Sequence, residues 1–159
     1  MSDMHDVLKL RGCIDVYLQD AQSGKVVEHR HQNNVVVTAG RAWVLMRIQG
    51  SSPDANTLNY IGFGGSSSAS PATGDTALFA EITSMRTQVG TWSYGTASNP
   101  PYITGQVSFA TNQGNTTIAE AGFFNHDTSA GGTLLSHVTF ASINKTTSNT
   151  LSISYTISN

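Results

Sequence analysis

The sequence predicts an all-β fold: a two-sheet β-sandwich, jelly-roll-like, of about eight antiparallel strands, with one short helix near residues 39–48. Three observations carry this expectation. Leu151, Ile153, Tyr155 and Ile157 alternate with Ser152, Ser154, Thr156 and Ser158 near the chain end. That is the period-two pattern of a strand with one packed face and one wet face. Short apolar runs recur along the chain between clusters of Gly, Ser, Asn and Pro, whereas a single stretch carries helix signals. No repeat of about 20–50 residues suggests a solenoid or propeller.

In chain order, residues 1–8 read as a polar N-terminal arm and residues 9–159 as one domain, a size at which about two-thirds of the unfolded surface is buried. Ile14, Val16 and Leu18 alternate, Asp20-Ala21-Gln22-Ser23-Gly24 turns, and Val26 to His31 returns, making a β-hairpin. Asn33-Asn34 interrupts it. Val35-Val36-Val37 is β-branched, and Thr38 is placed to cap the helix, with Val44, Leu45 and Ile48 as its apolar edge. Leu58 to Phe63 reads as a strand. The Gly/Ser-rich loop 64–73 follows it, then one helical turn from Asp75 toward Glu81, with Leu78 and Ile82 inward. Thr83 to Tyr94 is the next strand region, and Pro100-Pro101 prevents pairing after it. Ile103, Val107 and Phe109 alternate, Asn112-Gln113-Gly114-Asn115 turns, and Ile118 to Phe124 returns. Leu134, Val138 and Phe140 form the penultimate strand, and Ile143 to Asn149 leads into the last.

Composition narrows the function. Charged residues make up 11%, against about 25% in a typical soluble domain, so Ser, Thr, Asn, Gln and Gly must cover the surface. The net charge of −2 and the scattered Lys and Arg argue against a nucleic-acid or membrane partner. Cys13 is the single cysteine, which excludes an intrachain disulfide, and it reads as a small apolar residue. The first residues show neither a basic n-region nor an apolar h-region. No signal peptide is therefore expected, and synthesis in a cytoplasm is.

Candidate chemistry is sparse. His29 and His31 are two apart on a strand and share a face, a spacing seen in metal sites. Without a third ligand at defined short spacing they read as solvent-facing or interfacial, and no metal or cofactor is expected. His126-Asp127 and His137 would have to be brought near by folding. Glu120 with Asp127 would make a glycosidase pair only if the two faced each other across a cleft. Alternation with Ile118 and Phe124 instead turns Glu120 inward, toward a structural hydrogen bond to a loop. No Gly-x-Ser-x-Gly elbow is present, and Gly62-Phe63-Gly64-Gly65 lacks the Lys and the long helix of a phosphate cradle. The chain is therefore expected not to be an enzyme. Trp92, Tyr94 and Tyr102 flank the Pro-rich loop as interface anchors, a sugar-stacking platform or core. Met4, Val7 and Leu8 are the apolar contacts available to the arm.

Three stretches in series resemble a group of tailed-bacteriophage virion proteins. They are Val35-Val36-Val37-Thr38-Ala39-Gly40-Arg41; Ile61-Gly62-Phe63-Gly64-Gly65 with Ser70 to Leu78 and Glu81; and Glu120-Ala121-Gly122-Phe123-Phe124-Asn125 with Gly131 to Leu135 and Ile143-Asn144-Lys145. Their order and spacing are similar to those of capsid decoration (cement) proteins and of tail-fibre or appendage modules. The resemblance covers residues 35–159 and implies a virion structural protein. Its first implied role is to bind the outer surface of the head, on the major capsid protein, as a homo-oligomer with a trimer favoured. The alternative it implies is a tail-fibre or tail-tip module contacting tail proteins or a host receptor. A carbohydrate-binding lectin domain is a more distant reading.

Overall fold

The computed structural model describes residues 9–50, 57–95, 97, 100–129 and 131–159; the arm and its Met4, Val7 and Leu8 lie outside them. In chain order the described strands are β1 (Arg11–Asp20), β2 (Val26–Asn33), β3 (Val35–Val36), β4 (Tyr60–Gly64), β5 (Thr87–Gln88), β6 (Thr91–Gly95), β7 (Tyr102–Phe109), β8 (Thr117–Phe124), β9 (Leu134–Asn144) and β10 (Asn149–Ser158). Helix α1 spans Thr38–Gln49. The strands form two antiparallel five-stranded sheets, ordered β2-β1-β10-β7-β6 and β3-β9-β8-β4-β5. This is the expected all-β two-sheet sandwich. Eight of its strands are five residues or longer, and β3 and β5 are two-residue edge strands.

The last strand sits in the centre of the first sheet. Val16, Ile153 and Val107 lie side by side on β1, β10 and β7, as do Leu18, Leu151 and Phe109. These buried side chains meet Phe63, Phe123, Val138 and Ile143 of the second sheet. Tyr155 is fully buried, and its hydroxyl accepts a hydrogen bond of 2.9 Å from Ser136 Oγ. Burial raises its pKa, so the phenol stays neutral. On the other face of β10, Ser152, Ser154 and Thr156 are half-buried, because strands on both sides cover them in part.

Four local expectations change. Thr38 does not cap α1; the N-cap is Val37, with no side-chain bond. The Val37 N–H is tied to the Leu135 carbonyl and the Thr38 N–H to that of Thr73, so backbone acceptors do the work of a cap. The apolar edge is also rotated: Gly40 and Trp43 are buried, while Leu45 and Ile48 are 60% and 73% exposed. A Cβ at Gly40 would collide with the Leu135 backbone, so this glycine decides which helix face meets β9. Residues 75–81 form no helical turn; the turn, a 3₁₀ helix, falls at Thr83–Met85. Finally, Thr83 to Tyr94 is divided between sheets, with β5 in one and β6 in the other.

Candidate functional site

A bulge between Ile118 and Glu120 puts Glu120 on the face of β8 shared with Gly122 and Phe124, away from Ile118 and the inter-sheet core, and beside His137, which pairs with Gly122. Both side chains are fully buried. His137 Nε2–H donates to Glu120 Oε2 (2.9 Å) and Nδ1–H donates to Asp75 Oδ2 (2.7 Å). Glu120 also accepts the backbone N–H groups of Phe79 (2.8 Å) and Ala80 (2.7 Å), while Asp75 accepts that of Ala72. These bonds tie residues 72–80 down against the sheet at both ends, which competes with the bonding of a helical turn there. A Cβ at Gly64 would strike the Glu120 carboxylate, so glycine leaves room for the group.

Burial acts to raise the Glu120 pKa, but the His137 bond and the two N–H bonds outweigh it and hold the carboxyl below its ordinary range. Burial acts to lower that of His137, and the two carboxylates outweigh it and raise it. The group therefore reads as an imidazolium between two carboxylates. With both ring nitrogens donating, His137 has no lone pair to offer as a base or metal ligand.

Two further buried cations act on loops. Arg86 bonds Glu81 through Nε (2.8 Å), lies 3.5 Å over the Phe124 ring, and donates to the carbonyls of His126, Thr128 and Gly131. Lys145 Nζ donates to the Ala110 carbonyl (2.8 Å) and Asn115 Oδ1 (2.9 Å), and burial lowers its pKa. Asp127 is exposed in the β8–β9 loop, whereas Glu120 is sealed inside, so the two do not form the paired carboxylates of a glycosidase cleft.

What remains accessible is a surface. Trp92 stacks on Phe123 of the opposite sheet at 5.7 Å and donates Nε1–H to Asn59 Oδ1. Tyr94 lies 6.2 Å from it and is 63% exposed. These two rings line a groove with Leu58 and Ile103. The same Leu58 and Ile103 continue into a second, nearly wholly apolar groove of about 380 Å³, walled by Leu10, Trp43, Tyr102 and Ile157. The indole N–H of Trp43 is buried with no hydrogen-bond partner among the described residues. Helix α1 forms one wall, and its Leu45 and Ile48 face outward.

The structure thus puts Trp92 and Tyr94 on one face of β6, while Tyr102, paired with Gly95, turns to the other face and borders the second groove. His29 and His31 lie elsewhere, on β2 at the opposite edge of the same sheet. Their ring nitrogens converge on Asp15 of β1. Exposed Leu45 and Ile48 were missed as surface candidates because the helix rotation that exposes them is set by Gly40. Compared with known proteins, the chain matches no protein-family model, no curated protein and no solved structure.

Proposed function

We propose that this chain is a non-enzymatic structural protein of a tailed-bacteriophage virion. More narrowly, it is a capsid decoration protein that binds the outer surface of the head as a homo-oligomer, with a trimer favoured. The observation that carries the reading is that the three stretches resembling virion proteins lock onto one another. Val37 N–H meets the Leu135 carbonyl, Thr38 N–H meets that of Thr73, and Ile61 to Gly64 pair with Phe123 to Glu120. Within these stretches Asp75, Glu81, Glu120 and Lys145 are committed to internal bonds that hold the sandwich together, as a scaffold protein requires.

The apolar end supplies an attachment surface, since exposed apolar patches mark interaction sites. A protein that binds only the assembled shell stabilises it by mass action, and several linked copies add avidity. With so few charges, attachment would depend weakly on salt. The exposed Tyr94 and Tyr102 favour one second reading, a tail-tip module that contacts a receptor or tail protein.

Protein quantification of purified particles of the encoding phage tests this. A copy number matching the major capsid protein supports decoration. One matching the tail proteins supports the second reading, and absence from the particle overturns both. The double substitution Leu45→Lys/Ile48→Lys is expected to leave thermal stability nearly unchanged, as for surface sites generally, while lowering occupancy on stripped heads. Undiminished occupancy would remove the helix from the attachment surface. Purified protein is also expected to turn over no glycan or ester, with Glu120→Gln and Asp127→Asn altering stability alone. Turnover that disappears in either variant would overturn the structural reading.

A further inference from the structure

The outward face of the β1–β2 hairpin gathers ligand-type side chains that the sequence separates. Register sets His31 opposite Asp15, His29 opposite Tyr17 and Asn33 opposite Cys13. All face outward, while Glu28 and Arg30 pair with each other on the reverse side at 2.6 Å. His29 Nε2 lies 2.9 Å and His31 Nδ1 3.0 Å from the same oxygen, Asp15 Oδ1. One ligand atom each from Cys13, Asp15 and His31 lie within 4.8 Å of one another. The His29 ring is held in place by stacking on Tyr17, with centroids 4.3 Å apart and planes within 3°. On the far side of this cluster β1 pairs with β10, so the hairpin has a rigid floor.

We propose that this face is a site for a borderline-soft divalent transition ion, of which Zn²⁺ is the type, held by His31 Nδ1, the Asp15 carboxylate and Cys13 Sγ, with a water completing the four positions and His29 Nε2 bonded to the Asp15 carboxylate beside the ion. The donor set carries the choice. Imidazole, carboxylate and thiolate together suit Zn²⁺ and disfavour Ca²⁺ or Mg²⁺, which take oxygen ligands. The fit requires only small movements. Ligand atoms around a tetrahedral ion with bonds of about 2.0–2.3 Å sit about 3.3–3.8 Å apart. His31 must therefore draw slightly away from Asp15 and the thiol turn toward it. His31 and Asp15 are 55% and 27% exposed, so an ion can reach them and their side chains have room to turn.

Binding forms bonds from the metal to the His31 ring nitrogen, one carboxylate oxygen, the sulfur and a water. The proton on Sγ passes to solvent, and any proton on the coordinating His31 nitrogen passes to solvent or to the other ring nitrogen. In the metal-free protein burial, and secondarily the Asp15 charge, raises the Cys13 pKa, so the thiol stays protonated until an ion displaces the proton. The bound ion would clamp the edge strand β2 to β1, stiffening the sheet margin that other chains could otherwise pair with.

The test uses the full chain, metal-stripped, with His5→Gln and His126→Gln as background, so that outside the site only His137 remains, buried and bonded through both ring nitrogens. Zn²⁺ is titrated calorimetrically, and Co²⁺ is titrated by absorption. One ion per chain is expected, with a thiolate-to-cobalt charge-transfer band and a higher melting temperature. His31→Gln and Asp15→Asn should each weaken binding by at least about tenfold, the loss expected even of an outer-sphere partner. Cys13→Ser should remove the charge-transfer band while keeping weaker binding. Circular dichroism of each metal-free variant checks that the fold is retained. Absence of binding in the background protein, or unchanged affinity in a His29→Gln/His31→Gln double variant, would overturn the proposal. Binding without the charge-transfer band would remove Cys13 from the ligand set.

Discussion

Ile153→Asp is expected to abolish the folded state, whereas Ser154→Asp, one residue on, leaves it standing. Ile153 is fully buried, with Val16 and Val107 beside it on the neighbouring strands. The substitution removes packing worth about 2–5 kcal/mol and adds a carboxyl with no partner in an apolar interior, at a cost of several more kcal/mol. The total approaches the whole stability of a typical domain, about 5–15 kcal/mol. Ser154 faces outward between Asp15 and Gln106, so a new carboxylate there meets water and one like charge. Circular dichroism and urea unfolding of the two variants provide the comparison. Equal tolerance of both would mean that the packed and outer faces of β10 are assigned the wrong way round.

Glu120→Ala is expected to cost about 3–5 kcal/mol, the range for removing one partner of a buried ion pair. It orphans the N–H groups of Phe79 and Ala80 and leaves His137 with Asp75 alone. Glu120→Gln should cost less, because the amide oxygen keeps one of those donors. The pH profile separates this electrostatic role from simple packing. Glu120 has a folded pKa lowered from 4.5, so its contribution is present above that pH and is lost as acid brings the pH down through the lowered value. His137 has a folded pKa raised from 6.5, so its contribution is full below that pH and is lost as the pH rises through the raised value. Both are complete between about pH 4.5 and 6.5. The stability difference between the native chain and Glu120→Ala, measured by urea unfolding at successive pH values, should be largest there and shrink on either side. A difference flat from acid to alkaline pH would show that the pair is neutral in the folded protein.

Much of this architecture could be read from local pattern. The alternation in β10 and the hairpin of β1 and β2 were legible, because period two is a property of the extended backbone itself. The bonding of Glu120 to a loop was expected too, but a bulge between Ile118 and Glu120 breaks the alternation and puts Glu120 under residues 72–80 rather than between the sheets. The helix could be located but not oriented. Val44, Leu45 and Ile48 make an apolar edge by composition, yet the close approach of Gly40 to Leu135 turns Leu45 and Ile48 outward. A contact between a helix and a strand so distant in sequence has no local signature. The partners of Glu120 were hidden for the same reason: His137 lies 17 residues from Glu120 and 62 from Asp75, and only the β8–β9 pairing and the crossing loop bring the three together. On the hairpin, the spacing of His29 and His31 was visible at once, but their convergence with Asp15 and Cys13 was not. A register shift at Leu18/Gln19 sets which residues of β1 oppose them. A single-residue slip in that register would have sent Asp15 and Cys13 to the opposite face from the two histidines. Sequence alone therefore determined which side chains share a strand face, and the tertiary structure decided which faces and which distant residues meet.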